Sequence, residues 1–388
     1  MTCQDVLLIS SSETALKSNP VRNLLERRIA KHIRIIFSRH GETPSIARKY
    51  GRIAITDIAD YSRGAALASR VFGVATVMRA IQTSTEMNAI VTQAVALGLE
   101  KIKPNRTFAV KARRLGSHPF TSKDLENQIG SKILEGSAEK GVRVDLGKPD
   151  TTIYVEVKED SAYVYSERID GPGGLPYGCQ GSVLSLFSGS LNSRLSTWLM
   201  MKRGARIIPL YCDGDDLDNQ ASKEHVLYWL KQIYSILPVR KVSLIVVPFK
   251  EVLRSIRESD RSDLMPYLKM RAMLKVANRL ANEMKALGVV TGETLVGSST
   301  DMDRLVKSSS GLTTPVYRPV VGLERSEIEE LAKNASLSDL SSLPEVPETK
   351  GSVSQTSHGF DEIESSLGMD SILDAALAKR VLIPIIPA

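Results

Sequence analysis

Between Ser182 and Arg203 the chain reads SVLSLFSGSLNSRLSTWLMMKR, and its serines and glycine are spaced to hold an anion. Val183, Leu184, Leu186 and Phe187 form an apolar run that predicts a buried strand. Ser188-Gly189-Ser190-Leu191-Asn192-Ser193 follows as a small-residue loop, and Leu195, Trp198, Leu199 and Lys202 then recur at helical spacing. Where such a loop joins a parallel strand to a helix, backbone N–H groups point outward and the helix dipole adds roughly half a positive charge. The chemistry it suits is phosphate binding.

A second cluster has a different character. Lys111-Ala112-Arg113-Arg114-Leu115-Gly116-Ser117-His118-Pro119-Phe120-Thr121-Ser122-Lys123 supplies forked and point-charge donors, a helix N-terminus at Thr121-Ser122, and one aromatic side chain that either stacks or packs. The charge distribution supports a polyanionic partner. Residues 1–175 hold 26 Lys and Arg against 19 Asp and Glu, whereas residues 176–388 hold 25 of each. All of the net +7 therefore lies in the N-terminal half, as RNA contact through Lys111, Arg113, Arg114, Phe120, Thr121, Ser122 and Lys123 would require.

Other chemistries find little support. Cys3, Cys179 and Cys212 are odd in number and far apart, which excludes a disulfide framework and any C-x-x-C pair. The five histidines form no sequence cluster, so no metal site is assigned. No apolar run reaches the roughly 18 residues of a membrane span, and the N-terminus lacks a signal-peptide pattern. A reducing, cytoplasmic setting is expected.

The elements that must position these residues follow from periodicity. DVLLIS predicts a strand, and Asn19-Pro20 opens a helix with Asn19 as its cap and Val21, Leu24, Leu25 and Ile29 on one face. IRIIFS and GRIAIT read as further strands. VATVMRAIQT, a helix from about Met87 to Leu99, and the alternating strand Thr107–Arg114 come next. TTIYVEVKE and SAYVYSER predict a hairpin with Lys158-Glu159-Asp160 at its tip. Gly171-Pro172-Gly173-Gly174 then breaks all periodicity. Beyond it strands and helices alternate, which predicts a doubly wound parallel sheet with ligands at the carboxyl ends of its strands. A Ser/Gly-rich link from Thr349 to Gly359 leads to a last helix, Ile363 to Arg380.

These stretches together resemble one family. Residues 72–175, with VKARRLGSHPFTSKDLENQIGSKILE and VDLGKPDTTIYVEVKEDSAYVYSERIDGPGGLPYG, look like a THUMP RNA-binding domain. Residues 1–71 look like the ferredoxin-like domain that precedes it in the tRNA 4-thiouridine sulfurtransferases, the ThiI-like proteins also linked to thiamine thiazole synthesis. Residues 176–348 resemble their PP-loop ATP-binding domain through SGSLNSRLSTWLMMKRGA, MRAMLKVANRLA, VTGETL and TTPVYRPVVGLERSEIEELA, with 349–388 as linker and C-terminal helix. The implied fold is α/β: ferredoxin-like and THUMP α+β domains followed by a doubly wound, adenine-nucleotide-hydrolase-like sheet.

The resemblance implies that ATP and Mg²⁺ adenylate uridine 8 of tRNA, after which a sulfur nucleophile displaces AMP to leave 4-thiouridine. Adenine and ribose contacts would fall on Leu186, Phe187, Tyr211, Cys212 and Gly292. Ser188, Gly189, Asn192 and Ser193 match the phosphate loop, and Arg271 lies on the family's basic helix, where Met270 replaces its neighbour.

Several positions depart from the family pattern SGGxDS. Ser190 stands for a glycine, where a side chain interferes if the backbone needs positive φ or a close approach of phosphate. Asn192 stands for the aspartate that would face Mg²⁺, and Asp301 stands for a glutamine. Leu343-Pro344 is followed by Glu345-Val346-Pro347-Glu348 rather than cysteine, and Met265-Pro266-Tyr267-Leu268-Lys269 holds no C-x-x-C. Three readings stay open: a sulfurtransferase that takes sulfur from free sulfide or a partner, a THUMP-bearing tRNA binder or chaperone without sulfur transfer, and an adenylating enzyme that uses another nucleophile. The sequence leaves homodimerisation open as well.

Overall fold

The computed structural model describes residues 3–13, 17–49, 51–214, 220–260, 264–295, 301–338 and 360–386. The chain divides into two compact units, Met1–Gly174 and Leu175–Ala388. The division falls beside the Gly/Pro run. Among the described residues no helix is long and apolar enough to cross a membrane.

In the first unit, β1 (Gln4–Ser11), β2 (Ser45–Lys49), β3 (Arg52–Thr56), β4 (Val74–Thr83), β5 (Thr107–Arg114), β6 (Arg143–Val144), β7 (Thr151–Val157) and β8 (Ala162–Asp170) form one sheet. Its order is β2-β3-β1-β4-β8-β7-β5-β6. Strand β4 pairs antiparallel with β1 on one edge and with β8 on the other, so residues 1–71 and 72–175 share a continuous sheet. Helices α1 (Asn19–Arg39), α2 (Tyr61–Ala68), α3 (Met87–Lys101) and α4 (Ser122–Gly136) cover one face. There, Leu7, Ile9 and Val77 meet Ile29, Ile33 and Phe37, and Val110, Val155 and Val164 meet Ile90, Leu125 and Ile129.

The opposite face follows from strand register. Lys111 pairs with Tyr154 and Arg113 with Glu156, while Tyr154 and Glu156 pair with Tyr165 and Tyr163. Side chains alternate across a strand. The two basic residues therefore share a face with three tyrosines.

The stretch IRIIFS is helical, not a strand. It forms the C-terminal half of α1, where Ile29, Ile33, Ile36 and Phe37 recur at three- and four-residue spacing and are buried. A short apolar run does not distinguish the two periods by itself. Ser18, not Asn19, is the N-cap of α1, with Asn19-Pro20 inside the first turn. The last helix is two, α11 (Phe360–Ser366) and α12 (Met369–Ala378), separated at Gly368, which has φ +60°.

The second unit alternates strand and helix: β9 (Ser182–Leu186), α5 (Leu191–Lys202), β10 (Arg206–Asp213), α6 (Gln220–Ser235), β11 (Val242–Pro248), α7 (Lys250–Arg257) and α8 (Met265–Glu283). Then come β12 (Val289–Val290), α9 (Asp301–Ser308), β13 (Val316–Tyr317) and α10 (Arg325–Asn334), and finally α11, α12 and β14 (Val381–Ile385). The order is β13-β12-β9-β10-β11-β14, parallel except for the antiparallel β14. From β9 the chain steps through β10 to β11, then returns to β9's other side at β12. The strand order thus reverses between β9 and β12, and open α/β sheets bind ligands at such a switch point. Residues 343–348 and the 349–359 link lie outside the described residues.

Candidate functional site

The serine loop emerges at that switch point. Gly189 has φ +82°, and a β-carbon on it would lie 2.7 Å from His225 Cδ2. Glycine alone takes that conformation without strain. Ser190 has φ −63°, an ordinary extended value, so its side chain does not strain the backbone. Instead it caps α5: Ser190 Oγ accepts from Ser193 N at 3.4 Å. The backbone strain expected at Ser190 is absent because the positive φ falls one residue earlier, at Gly189.

The hydroxyl groups bond to one another. Ser188 Oγ donates to Ser190 Oγ at 3.0 Å and reaches Ser193 Oγ at 3.3 Å, while Ser193 Oγ donates to the Ser190 carbonyl at 2.9 Å. Helix geometry leaves the Leu191 and Asn192 N–H groups without intrahelical acceptors. Those amides, the glycine and the dipole of α5 fit a phosphate group. The loop itself holds no carboxylate. Asn192 offers only a neutral amide oxygen where a magnesium ion would want charge.

The carboxyl edge of the sheet does carry acids on either side. Asp213, ending β10, pairs with Lys223 at 3.2 Å. Glu293, just past β12, accepts from Arg318 Nε at 2.9 Å and from Thr291 Oγ1 at 3.1 Å. The preceding Gly292 packs directly on the start of α5: its β-carbon position lies 2.7 Å from Ser193 N. Among the described residues no group of three or more His, Cys, Asp or Glu side chains is gathered to hold a metal ion.

Other expected nucleotide contacts fall in different settings. Leu186 and Phe187 are buried in the sheet, and Phe187 N donates to Leu210 O at 2.8 Å. Any contact from them is through backbone. Tyr211 is buried too. Cys212 is half-buried against the core of this unit, and burial pushes its thiol well above the ordinary range, so it is not a thiolate.

Arg271 belongs to another network. Its side chain is 3% exposed and pairs with Asp361 and, at 3.0 Å, with Glu364. It also donates to Lys307 O at 2.8 Å and Ser310 O at 3.1 Å. On the same side of α8, Lys275 meets Glu364 at 2.7 Å and Arg279 meets Asp370 at 2.6 Å. The basic stripe of α8 is thus matched by carboxylates of α11 and α12. Arg271 meets protein acceptors here rather than presenting an open face to a nucleotide.

In the first unit, Lys111 and Arg113 are exposed on the sheet face that carries Tyr154. Arg168 lies 5.6 Å from the Tyr154 ring centre, and Tyr154 stacks on Tyr165 at 5.1 Å. Glu156 beside them is buried and receives Arg52 at 2.9 Å, Lys158 at 3.2 Å and the Tyr165 hydroxyl at 3.0 Å. Burial alone would raise its carboxyl, but Arg52 and Lys158 outweigh that and hold it below the usual range. Arg114 instead donates to His118 O at 3.2 Å, tying the 115–120 loop to its own strand.

Phe120 is not available for stacking on a base. It is 6% exposed and packs in the core with Leu125. Thr121 is the N-cap of α4 and Asp124 completes a capping box, which puts Phe120 and Leu125 at the two ends of a hydrophobic staple. Thr121 is spent in that cap, Ser122 opens the helix, and Lys123 pairs with Glu126 at 3.6 Å.

The residue that sequence reasoning missed is His225. Its Nε2 lies 3.2 Å from Gly189 O, its ring meets Trp229 edge-on at 6.5 Å, and Arg194 covers the Trp229 ring at 3.9 Å. His225 is 36 residues from Gly189 in the chain, and no spacing signal joins them. Asp301 keeps its place at the start of α9, but its side chain lies outside the description.

Comparison with known proteins gives consistent results. The family described as "Thiamine biosynthesis protein (ThiI)" matches residues 178–358, and the THUMP domain matches residues 84–167. A probable tRNA sulfurtransferase of Methanosarcina acetivorans is 33% identical over 97% of this chain and 93% of its own length. One from Saccharolobus islandicus is 32% identical over 94% of this chain and 96% of its own. Among solved structures, a 4-thiouridine synthetase in complex with RNA and bound ATP superposes with a TM-score of 0.82 at 23% identity, covering 98% of this chain and all of that one. A Pyrococcus horikoshii protein gives 0.66 at 23% identity over 86% of this chain and 99% of its own.

Proposed function

The chain belongs to the tRNA sulfurtransferase family, and from that membership we propose that it binds tRNA through its first unit and uses ATP in its second to convert uridine 8 to 4-thiouridine. The observation that carries the reading is the loop at the β9/β12 switch point. Gly189 keeps the one left-handed residue of the loop, and α5 still opens with free-facing amides behind it. Ser190 substitutes a hydroxyl cap for a glycine at no backbone cost.

ATP supplies the reaction with a leaving group: the uracil O4, a poor one by itself, departs once it is esterified to AMP. The chain's part is to bind and orient. Gly189 and the Leu191 and Asn192 amides take phosphate oxygens. The Asn192 amide oxygen is the group the loop would offer to a Mg²⁺ carried by the phosphates, which would neutralise their charge there. The proposal assigns sulfur delivery to no cysteine of this chain: Cys3 and Cys179 lie ahead of β9 in sequence, away from the switch point at its carboxyl end, and Cys212 is half-buried against the core. The sulfur comes from sulfide or from a persulfide-bearing partner, in the cytoplasm.

In the first unit Lys111, Arg113 and Tyr154 give the RNA a surface with charge for phosphates and a ring for a base. A tRNA binder without sulfur transfer is the second reading, and the uncharged Asn192 is what favours it. One assay separates them. Purified protein is incubated with unmodified tRNA, Mg-ATP and sulfide, and thiouridine is read by retardation in a mercury gel. ATP-dependent retardation supports the enzyme. Tight tRNA binding without retardation supports the binder and sinks the proposal.

A further inference from the structure

We propose that His225 is a positioning residue for the phosphate loop, holding the Gly189–Ser190 peptide in the one orientation that turns its N–H toward the anion. This rests on the ATP-binding reading above and names a residue that acts for it. A carbonyl oxygen only accepts, so the His225 ring presents Nε2–H to Gly189 O, 3.2 Å away. The peptide is trans, and a trans peptide carries its C=O and N–H in opposite directions. Fixing the Gly189 carbonyl toward α6 therefore fixes the Ser190 N–H away from it, on the side of the loop's other amides.

The need for such a bond is local. Gly189 is the residue best able to let this peptide rotate, because glycine populates both signs of φ. Its own conformation supplies no restraint. The Ser190 N–H meets only Ser188 Oγ at 3.4 Å, long for a hydrogen bond, so it is open to a stronger acceptor. Without His225 the loop would be free to present a carbonyl oxygen to the phosphate instead, which repels it.

His225 is itself held. Its ring packs against the Gly189 Cα side and meets Trp229, a 3%-exposed residue one helical turn further along α6. Trp229 in turn lies under the guanidinium of Arg194, in the first turn of α5. The column Gly189–His225–Trp229–Arg194 therefore starts at one end of the loop and returns to the other. A cation over an indole face is favourable and strengthens when partly desolvated. Through this column α6 braces both ends of the cradle.

His225→Phe keeps the ring packing and removes the donor; His225→Gln replaces the donor on a flexible stem. Hydrogen exchange of the loop peptide in the ATP-free, full-length protein is the first readout, and calorimetric affinity for Mg-ATP is the second. For one hydrogen bond the expected effect is roughly two- to tenfold in each. His225→Phe should exchange faster across Gly189–Asn192 and bind more weakly, with an unchanged melting temperature, and His225→Gln should recover both in part. Wild-type exchange and affinity in His225→Phe would overturn the proposal. So would weaker affinity with unchanged exchange, which would make His225 a ligand contact instead. If the wild-type protein binds no nucleotide, the function proposed above falls, while the exchange arm still decides whether His225 braces the loop.

Discussion

Gly292 and Ser193 touch through their backbones: a β-carbon on Gly292 would lie 2.7 Å from the Ser193 nitrogen and 2.8 Å from the Asn192 carbonyl carbon. The end of β12 is thereby pressed on the first turn of α5. Gly292→Ala forces backbone against backbone, with no flexible side chain to yield. We expect a loss of about 1–3 kcal/mol in urea unfolding, as overpacked sites show. Mg-ATP affinity should fall with it, since the displaced turn carries the amides proposed to hold phosphate. Wild-type unfolding and binding in this variant would show that β12 does not press on α5.

Asn192→Asp is expected to raise Mg-ATP affinity. The new carboxylate sits in the first turn of α5, where a negative charge is favourable by about 0.3–1 kcal/mol, and it offers magnesium a charged oxygen. Adding Ser190→Gly should change little, because glycine is a tolerated cap and the φ of Ser190 is already negative. Calorimetry with and without Mg²⁺ reads both. A gain that persists in EDTA would mean the carboxylate acts on something other than the metal.

Arg271 is a structural cation. Arg271→Met leaves Glu364, whose side chain is 3% exposed, facing Lys275 alone, and breaking a buried pair in this way costs about 3–5 kcal/mol. The C-terminal helices α11 and α12 should then become sensitive to protease. Arg271→Met with Glu364→Leu should regain much of the loss, as apolar replacements of buried pairs do. If the single variant resists protease and melts like wild type, the pair contributes little.

Much of this was legible in the sequence, and what was not had particular causes. The strand–loop–helix around Gly189 was readable because its three parts are contiguous, and the cap at Thr121 was readable from its own spacing. IRIIFS was not: six apolar-rich residues satisfy both periods until Ile29 is counted with them. Arg271 was carried over from the family's basic helix and Phe120 was left between stacking and packing, whereas their partners, Asp361 in one case and the staple residue Leu125 in the other, are distant or out of pattern in the sequence. His225 was illegible because its partner is a backbone carbonyl, which no side-chain pattern records.

Lys111→Gln and Arg113→Gln should each weaken tRNA binding and reduce the slope of log affinity against log salt by about one, if each neutralises one phosphate. Phe120→Leu should leave tRNA affinity alone and cost about 1 kcal/mol of stability, being a core substitution. Filter binding across a salt series, alongside thermal melts, separates the two classes. An RNA-binding defect in Phe120→Leu with normal stability would reverse the assignment.

His32 makes stability pH-dependent. It is buried in α1, and burial first, then Arg28 and Lys31, lower its pKa from 6.5 to about 4. The folded state therefore disfavours the proton. Stability is whole above pH 6.5 and declines as pH falls toward 4, by about 1.4 kcal/mol per unit inside that window. Urea midpoints at pH 7, 6 and 5 for wild type and His32→Leu should diverge in slope, with the variant flatter. Parallel slopes would assign the acid sensitivity to other groups.

Because β4 is bonded along both edges, the N-terminal half of the molecule has no seam at which it can be cut. A fragment beginning at residue 72 would expose the β4 edge that β1 now covers, inviting self-association. Heat or denaturant should likewise find a single cooperative block rather than two modules melting in turn. Anything that tugs on Lys111 and Arg113, on the strand next to one edge of the sheet, meets a hydrogen-bonded path of seven strands from β5 to β2. The half proposed to meet RNA is in that sense a single plate rather than two hinged modules.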